Sequence, residues 1–543
     1  MASSKKRSRI LQNHLKKGNT FYPPFTFKEG IGRFDEINWR ADFVPELIWI
    51  ALLVEEYGFD KGKNLACILA VTAMQFRQTV QLPDFGTISA YSSLEKSAKE
   101  NIAKYLDSNG VLKEIANPLL SLVTLYPDCP LSFLLVDQNA LCSIEEASNK
   151  VAPVLKECLF RGERLPTLTQ AVYYELSVAS GKLKFVAPLR PHNTDTIKDY
   201  PKTDESKRLA SMLRANACQM TVMGHSKKWA QSFWRRGRDI GPCIPQQPSD
   251  LRLSDFPQEF ILYNAECFKE YHERCNNLWE FIERNYVIDF YSPLRDEIIL
   301  SLVCRIYRLT IHIVSFIPNW TEDVAEIFLR MIIESYIYYM WFKKNGTEKS
   351  YQKFYMHGLG QQKIRKEHIS NYLKQQGIPD EEIEKHNPGL SFLKNHKMEE
   401  FIPVNIGSPL DKNLRIIAEE ADCREIYALI FSPASSAVHG MYDSLERFYL
   451  KKCLNPFHCY HRVPYYWSKS PISGYGVLNC LAFTDWVLAD LMQEIDGDLP
   501  EKMPGEVYFE KINDNETLEE FIKREDVQDW IKSSDKFRNS GNE

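Results

Sequence analysis

Glu326, Arg330 and Glu334 stand at i, i+4 and i+8 in the run Glu326-Ile-Phe-Leu-Arg330-Met-Ile-Ile-Glu334-Ser-Tyr-Ile-Tyr-Tyr-Met-Trp341. A helix would line them up as one stripe and let them pair along it. The rest of the run is apolar on nearly every side, the pattern of a helix surrounded by protein rather than lying on a surface. Taking a charge into such surroundings costs several kcal/mol, so these charges are expected to be partnered. The stripe reads as an ion-pair network or as the wall of a polar pocket.

Further along, Ser432-Pro433-Ala434-Ser435-Ser436-Ala437-Val438-His439-Gly440 places Ser435 four and Ser436 three residues before His439. On a helix either hydroxyl sits beside the imidazole, which can accept or donate a proton near neutral pH. A serine nucleophile would need the strand-turn-helix elbow of the hydrolases, which this text lacks. Arg305, Arg308 and His312, at i, i+3 and i+7, share a helix face. A cation and a titratable base can cleave RNA without a metal, the histidine moving the 2′-hydroxyl proton and the arginine holding the phosphate.

Two other clusters could bind rather than react. Cys453-Leu-Asn-Pro-Phe-His458-Cys459-Tyr-His461 gathers four soft ligands, which zinc favours, yet structural zinc sites bring two pairs from separate knuckles, and adjacent His458 and Cys459 do not readily turn to one ion. No metal and no cofactor are assigned on this text. A hydrolase centre at His458, Cys459 and His461, or a loop offering both histidines to His439, are the other readings. Between residues 225 and 238, Lys227, Lys228, Arg235, Arg236 and Arg238 interleave with Trp229, Phe233 and Trp234. Phosphates are met by bases and unstacked nucleobases by rings, so this is the best local nucleic-acid patch. The plainer reading packs the rings inward and leaves the cations solvated.

Helices must position these groups. Helical periodicity appears from Asp42 to a stop at Gly58, then over about 61–78, 92–106, 110–123, 143–160 and 166–181; in the second half it covers 258–285, 292–316, 321–344, 347–376, 411–431, 434–452 and 474–495. No long alternating strand text occurs, so the expected class is all-α, a multi-lobed helical bundle protein. With 543 residues, 44% of them hydrophobic, the chain exceeds what one core organises. The divisions expected are a basic tail over 1–30, an N-terminal helical domain over 31–245, a C-terminal helical domain over 246–500, and a charged segment over 501–543. The Pro-rich connection Gly241–Pro257 supplies the main boundary.

A formal net charge of −5 gives no global drive towards nucleic acid or anionic membrane. Thirteen scattered cysteines read as buried thiols in a reducing compartment, not as a disulfide framework. The basic N-terminus has no apolar stretch behind it, and no run is long enough to span a bilayer, so a cytoplasmic location and no membrane partner are expected.

With Leu329-Arg330-Met-Ile-Ile-Glu334 and Ser435-Ser436-Ala-Val-His439-Gly440 in view, residues 260–495 resemble a family of uncharacterised helical bacterial proteins. These carry an Arg-x-x-x-Glu helix followed by a helix opening on Ser-x-x-(x)-His-Gly. In layout that family is similar to the HEPN superfamily, which includes toxin and abortive-infection ribonucleases of phage defence. The resemblance implies a HEPN-like C-terminal half that cleaves or binds RNA, with His439 at its centre and Arg330, Glu334 and Ser436 lining the pocket. The HEPN pattern places an arginine four to six residues before the histidine; here that window holds Ser432, Pro433 and Ala434, so either Arg330 supplies the cation from across the bundle or Arg305 and His312 form the site. A non-catalytic helical subunit that docks onto another defence protein or a nucleic acid is the alternative. Expected partners are RNA, a second defence-system protein and a second copy of the chain, which could complete the apolar helix.

Overall fold

Helical periodicity carries through to the structure, a computed structural model that is 74% helix and 2% strand, the all-α class expected. It describes residues 15–17, 20–22, 38–78, 83–135, 141–180, 194–220, 228–246, 257–379, 382, 403–465 and 472–528. Two units emerge: Met1–Gln246 with Lys452–Val463, and Gln247–Lys451 with Pro464–Glu543. The chain leaves the first unit at Gln246, within the Pro-rich connection, and returns to it for twelve residues, which no feature of the text announced.

The first unit holds helices α1 (Val44–Gln75), α2 (Lys96–Ser108), α3 (Leu112–Leu125), α4 (Ile144–Cys158), α5 (Arg164–Ala179), α6 (Asp204–Met220) and α7 (Lys228–Gly237). Pro45 opens α1, where the absent N–H is not missed, and Gly58 interrupts it at φ 77°, ψ 173°, a left-handed break at the position where the sequence ends a helix. Every residue from Leu47 to Val54 is buried because α1 is enclosed by α3, α4 and α5. Burying side chains of this size stabilises by about 1.5–3 kcal/mol each. A small hairpin pairs Leu15–Lys17 with Thr20–Tyr22 inside the segment expected to be a plain tail.

The second unit comprises α8 (Gln258–Asn285), α9 (Leu294–Val314), α10 (Glu322–Asn345), α11 (Glu348–Gln375), α12 (Leu414–Glu420), α13 (Ser432–His439), α14 (Tyr442–Phe448), α15 (Gly474–Glu494), α16 (Pro504–Ile512) and α17 (Asn515–Lys523). As its all-round apolar text requires, α10 is the central rod, packed by α9, α12, α13 and α15. Residues 501–543 are not an appendage in their described part. Tyr508 of α16 is buried and its hydroxyl bonds Asn264 of α8, while the Gly505 N–H donates to Asp485 of α15 at 3.0 Å. No described helix is long and apolar enough to cross a membrane.

Candidate functional site

On α10, Arg330 and Glu334 do pair, at 3.1 Å, but Glu326 does not join them. It turns to Arg447 of α14, 2.9 Å away, which also holds Glu322 at 2.7 Å. The stripe expected to pair along its own helix is thus split between two partners, and Arg447 is a residue the sequence reading missed: it lies over a hundred residues away, beyond the reach of any spacing rule. Burial still pushes the Glu326 carboxyl above its ordinary value, an effect Arg447 offsets only in part.

Arg330 is the better placed group. Its side chain is 19% exposed, its Nε approaches the Ser435 hydroxyl of α13 at 3.4 Å, and its guanidinium lies over the Phe431 ring at 5.1 Å. Residues 427–431, just before α13, form a widened π turn, a feature that recurs beside functional sites. Together Glu334, Ser435 and Phe431 fix the plane of the guanidinium. One turn further on, His439 ends α13 at the surface, its Cβ about 5–6 Å from that of Ser435 by helix geometry. Gly440 then closes the helix in the left-handed conformation, its N–H bonded to the Ser436 carbonyl. Ser436 therefore enters the helix closure through its backbone, and Ser435 is the hydroxyl that meets the cation.

Arg305 and His312 stand apart from this face. Arg305 Nε donates to Ser335 Oγ at 3.1 Å, about 140° around α10 from Arg330, and His312 is exposed about 10 Å further along α9. Their shared helix face does not bring them together. A polar cluster that sequence reading did not find ties α9, α10 and α15. Lys343 holds Asp490 and Glu494 at 3.1 and 2.6 Å, Arg295 holds Glu494 and Asp296 at 2.6 and 3.1 Å, and the Tyr286 hydroxyl donates to Asp296. Charges so interleaved read as a structural tie.

In the first unit, the basic and aromatic run forms α7, and its rings turn inward. Trp229 is 5% exposed with its indole N–H bonded to the Pro45 carbonyl at 2.7 Å, and Phe233 stacks on Tyr126 at 4.3 Å. Trp229 is therefore corrected from a base-stacking ring to a core residue: an amphipathic helix hides its apolar side. Arg236 Nε donates to the Leu125 carbonyl, while Lys228, Arg235 and Arg238 reach the surface beside Asp128 and Asp239. Lys227 lies outside the described residues.

The Cys/His text resolves differently from its expectation. Cys243 Sγ lies 3.5 Å from His458 Nδ1 and 3.3 Å from His461 Nε2, and Cys453 Sγ lies 3.5 Å from His458 Nδ1. One donor atom from each of Cys243, Cys453, His458 and His461 falls within 4.8 Å of the others. Cys459 is the residue left out. It and Tyr460 adopt left-handed backbone, φ 55° and 50°, and this turn swings Cys459 towards Arg40 and Asp42 while bringing His458 and His461 to one side. The adjacent pair objection thus holds for Cys459, and Cys243 supplies the second knuckle. Cys243 lies 215 residues from His458, so no spacing rule could have found it.

Two backbone strands carry the cluster. Pro245 bridges Cys453 in antiparallel fashion, with Leu454 N–H to the Ile244 carbonyl at 2.7 Å and Gln246 N–H to the Lys452 carbonyl at 2.8 Å. Asn455 locks the turn: its amide donates to the Ile240 and Pro242 carbonyls, and its oxygen accepts from Phe457 N–H. Gly237 allows the end of α7 to approach, since a Cβ there would lie 2.2 Å from the Phe457 carbonyl. Burial and neighbouring His461 hold the His458 imidazole below its ordinary value. None of the cysteines among the described residues is in a disulfide.

Residues 296–456 match the model of a family of unknown function, DUF5677, a span that includes Arg330, Ser435 and His439 but stops short of His458 and His461. No curated protein and no solved structure matches the chain.

Proposed function

We propose that the second unit binds and cleaves RNA through the face carrying Arg330, Ser435 and His439, as the effector of a bacterial phage-defence system with a HEPN-like helical fold. The observation that carries the reading is the meeting of Arg330 with Ser435 at 3.4 Å across α10 and α13, with His439 exposed one turn along the same helix. A guanidinium has five N–H donors; Ser435 and Glu334 occupy one each, so the fork is aimed while donors remain for a phosphate. In the cleavage step the His439 imidazole takes the ribose 2′-hydroxyl proton and the 2′-oxygen attacks phosphorus. The bond to the 5′-oxygen breaks, and that oxygen leaves with a proton from the imidazolium or water. Arg330 stabilises the charge that builds on the non-bridging oxygens. Arg305 and His312, separated along α9, have no part in this step.

Purified full chain incubated with tRNA and total RNA tests this. Degradation by the wild type that disappears in His439→Ala, at unchanged melting temperature, supports the reading. RNA left intact and unbound by the wild type removes it.

A second reading, a non-catalytic subunit that docks on another protein or a second copy of the chain, is favoured by a different observation. Leu429, Met441 and Tyr442, close in sequence to His439, are more than half exposed, and exposed apolar side chains that gather into a patch are usually covered by a partner. Under it Arg330 is an interhelical tie, and Leu429→Glu with Tyr442→Glu abolishes association measured by light scattering while RNA is untouched by every variant.

A further inference from the structure

We infer that Cys243, Cys453, His458 and His461 form a tetrahedral zinc site that clamps both passages of the chain at the edge of the first unit. Zinc bonds sulfur at about 2.3 Å and imidazole nitrogen at about 2.0–2.1 Å, which in a tetrahedron sets sulfur and nitrogen about 3.6 Å apart. Three of the four sulfur to nitrogen separations, 3.3, 3.5 and 3.5 Å, match that spacing before any ion is placed, and all four donors fall within 4.8 Å of one another. Two thiolates and two neutral imidazoles neutralise a divalent cation, the two thiol protons passing to solvent on binding.

The backbone is built to hold this arrangement. Cys243 comes from the segment that follows α7, and the other three from the returning segment, so the ligands form the two separate knuckles that structural sites use. The left-handed pair Cys459 and Tyr460 lets His458 and His461 face one point from a four-residue turn. The backbone of Gly241 and of Arg238 lies within hydrogen-bond reach of the His458 ring, and partners of this kind orient a metal-bound imidazole. Four protein ligands leave no open position for a substrate, which makes the site structural. Its place in the chain explains what such a site would hold, since Cys243 lies three residues before the chain leaves the first unit at Gln246, and Cys453 one residue after it returns at Lys452. The ion would pin the return of a twelve-residue segment too short to hold itself.

Metal analysis of the full chain, purified without an affinity tag that binds metal, tests this directly. About one zinc per chain is expected, lost in Cys243→Ser and in His461→Ala, both at exposed positions where folding survives, and retained in Cys459→Ser. Cobalt substituted for zinc should give the intense visible bands of a tetrahedral thiolate site, and chelation should lower the melting temperature of the wild type by several degrees while leaving Cys243→Ser unmoved. A metal-free native chain, a Cys243–Cys453 disulfide, zinc retained by the Cys243→Ser/His461→Ala double variant, or zinc lost equally from Cys459→Ser would each overturn the assignment, and iron or copper in its place would overturn the choice of ion.

Discussion

Arg330 and His439 differ in what their loss should do. His439 is exposed, so His439→Ala should leave the melting temperature within about a degree while lowering RNA cleavage roughly 10²–10⁴-fold, the usual contribution of a proton-transfer group. Arg330→Ala removes a largely buried guanidinium held by Glu334, Ser435 and Phe431 and should cost about 1–3 kcal/mol of stability as well as activity, read by thermal melting beside the cleavage assay. The types of these residues were legible because Arg-x-x-x-Glu and a hydroxyl beside histidine need only helical spacing. Their partners were not: Arg447 for Glu326 and Cys243 for His458 are set by tertiary packing alone. A buried acid gives a pH test at the same scale. Burial raises the Asp485 carboxyl to about 7, against about 3.9 in an unfolded chain. Between those values Asp485 holds its proton in the folded protein and loses it in the unfolded one, so its contribution to stability is fully present below about pH 4, falls as pH rises, and is gone above about 7. Glu46, raised by burial to about 7 in the first unit, adds the same trend. Asp485→Asn should flatten the fall in denaturation curves taken across that range; an unchanged slope would show that Asp485 ionises normally.

Among the elements, helices were the most legible feature, because apolar periodicity and capping are local. The 258–285 span expected from the text coincides with α8, and the Gly58 stop falls on the break inside α1. Replacing Gly58 with alanine should destabilise the first unit by roughly 1–3 kcal/mol through its backbone alone, read by thermal melting, since φ 77°, ψ 173° is open essentially to glycine and a Cβ there meets nothing. Gly237→Ala should cost more, because its Cβ would collide with the Phe457 carbonyl. That variant should also lose zinc affinity, measured by competition with a chromophoric chelator. What the text could not convey was the short return over 452–463, which has no periodicity and gains its place from Asn455 bonds to residues more than two hundred positions away. Direction of burial on α7 follows the plainer reading of its text, with Trp229 and Phe233 turned inward.

At the scale of the molecule, helical periodicity foresaw an all-α chain, and the two units each have a core of their own. Function lies beyond composition: it depends on whether the α10 and α13 face handles a phosphodiester. The chemistry of the RNA ends generated by wild-type protein reports on this most directly. Attack by a 2′-oxygen activated by His439 leaves a 2′,3′-cyclic phosphate and a 5′-hydroxyl, and these ends should vanish with His439→Ala. Ends bearing a 5′-phosphate, or cleavage that persists unchanged in His439→Ala, would contradict the assignment of Arg330 and His439 as the reacting pair.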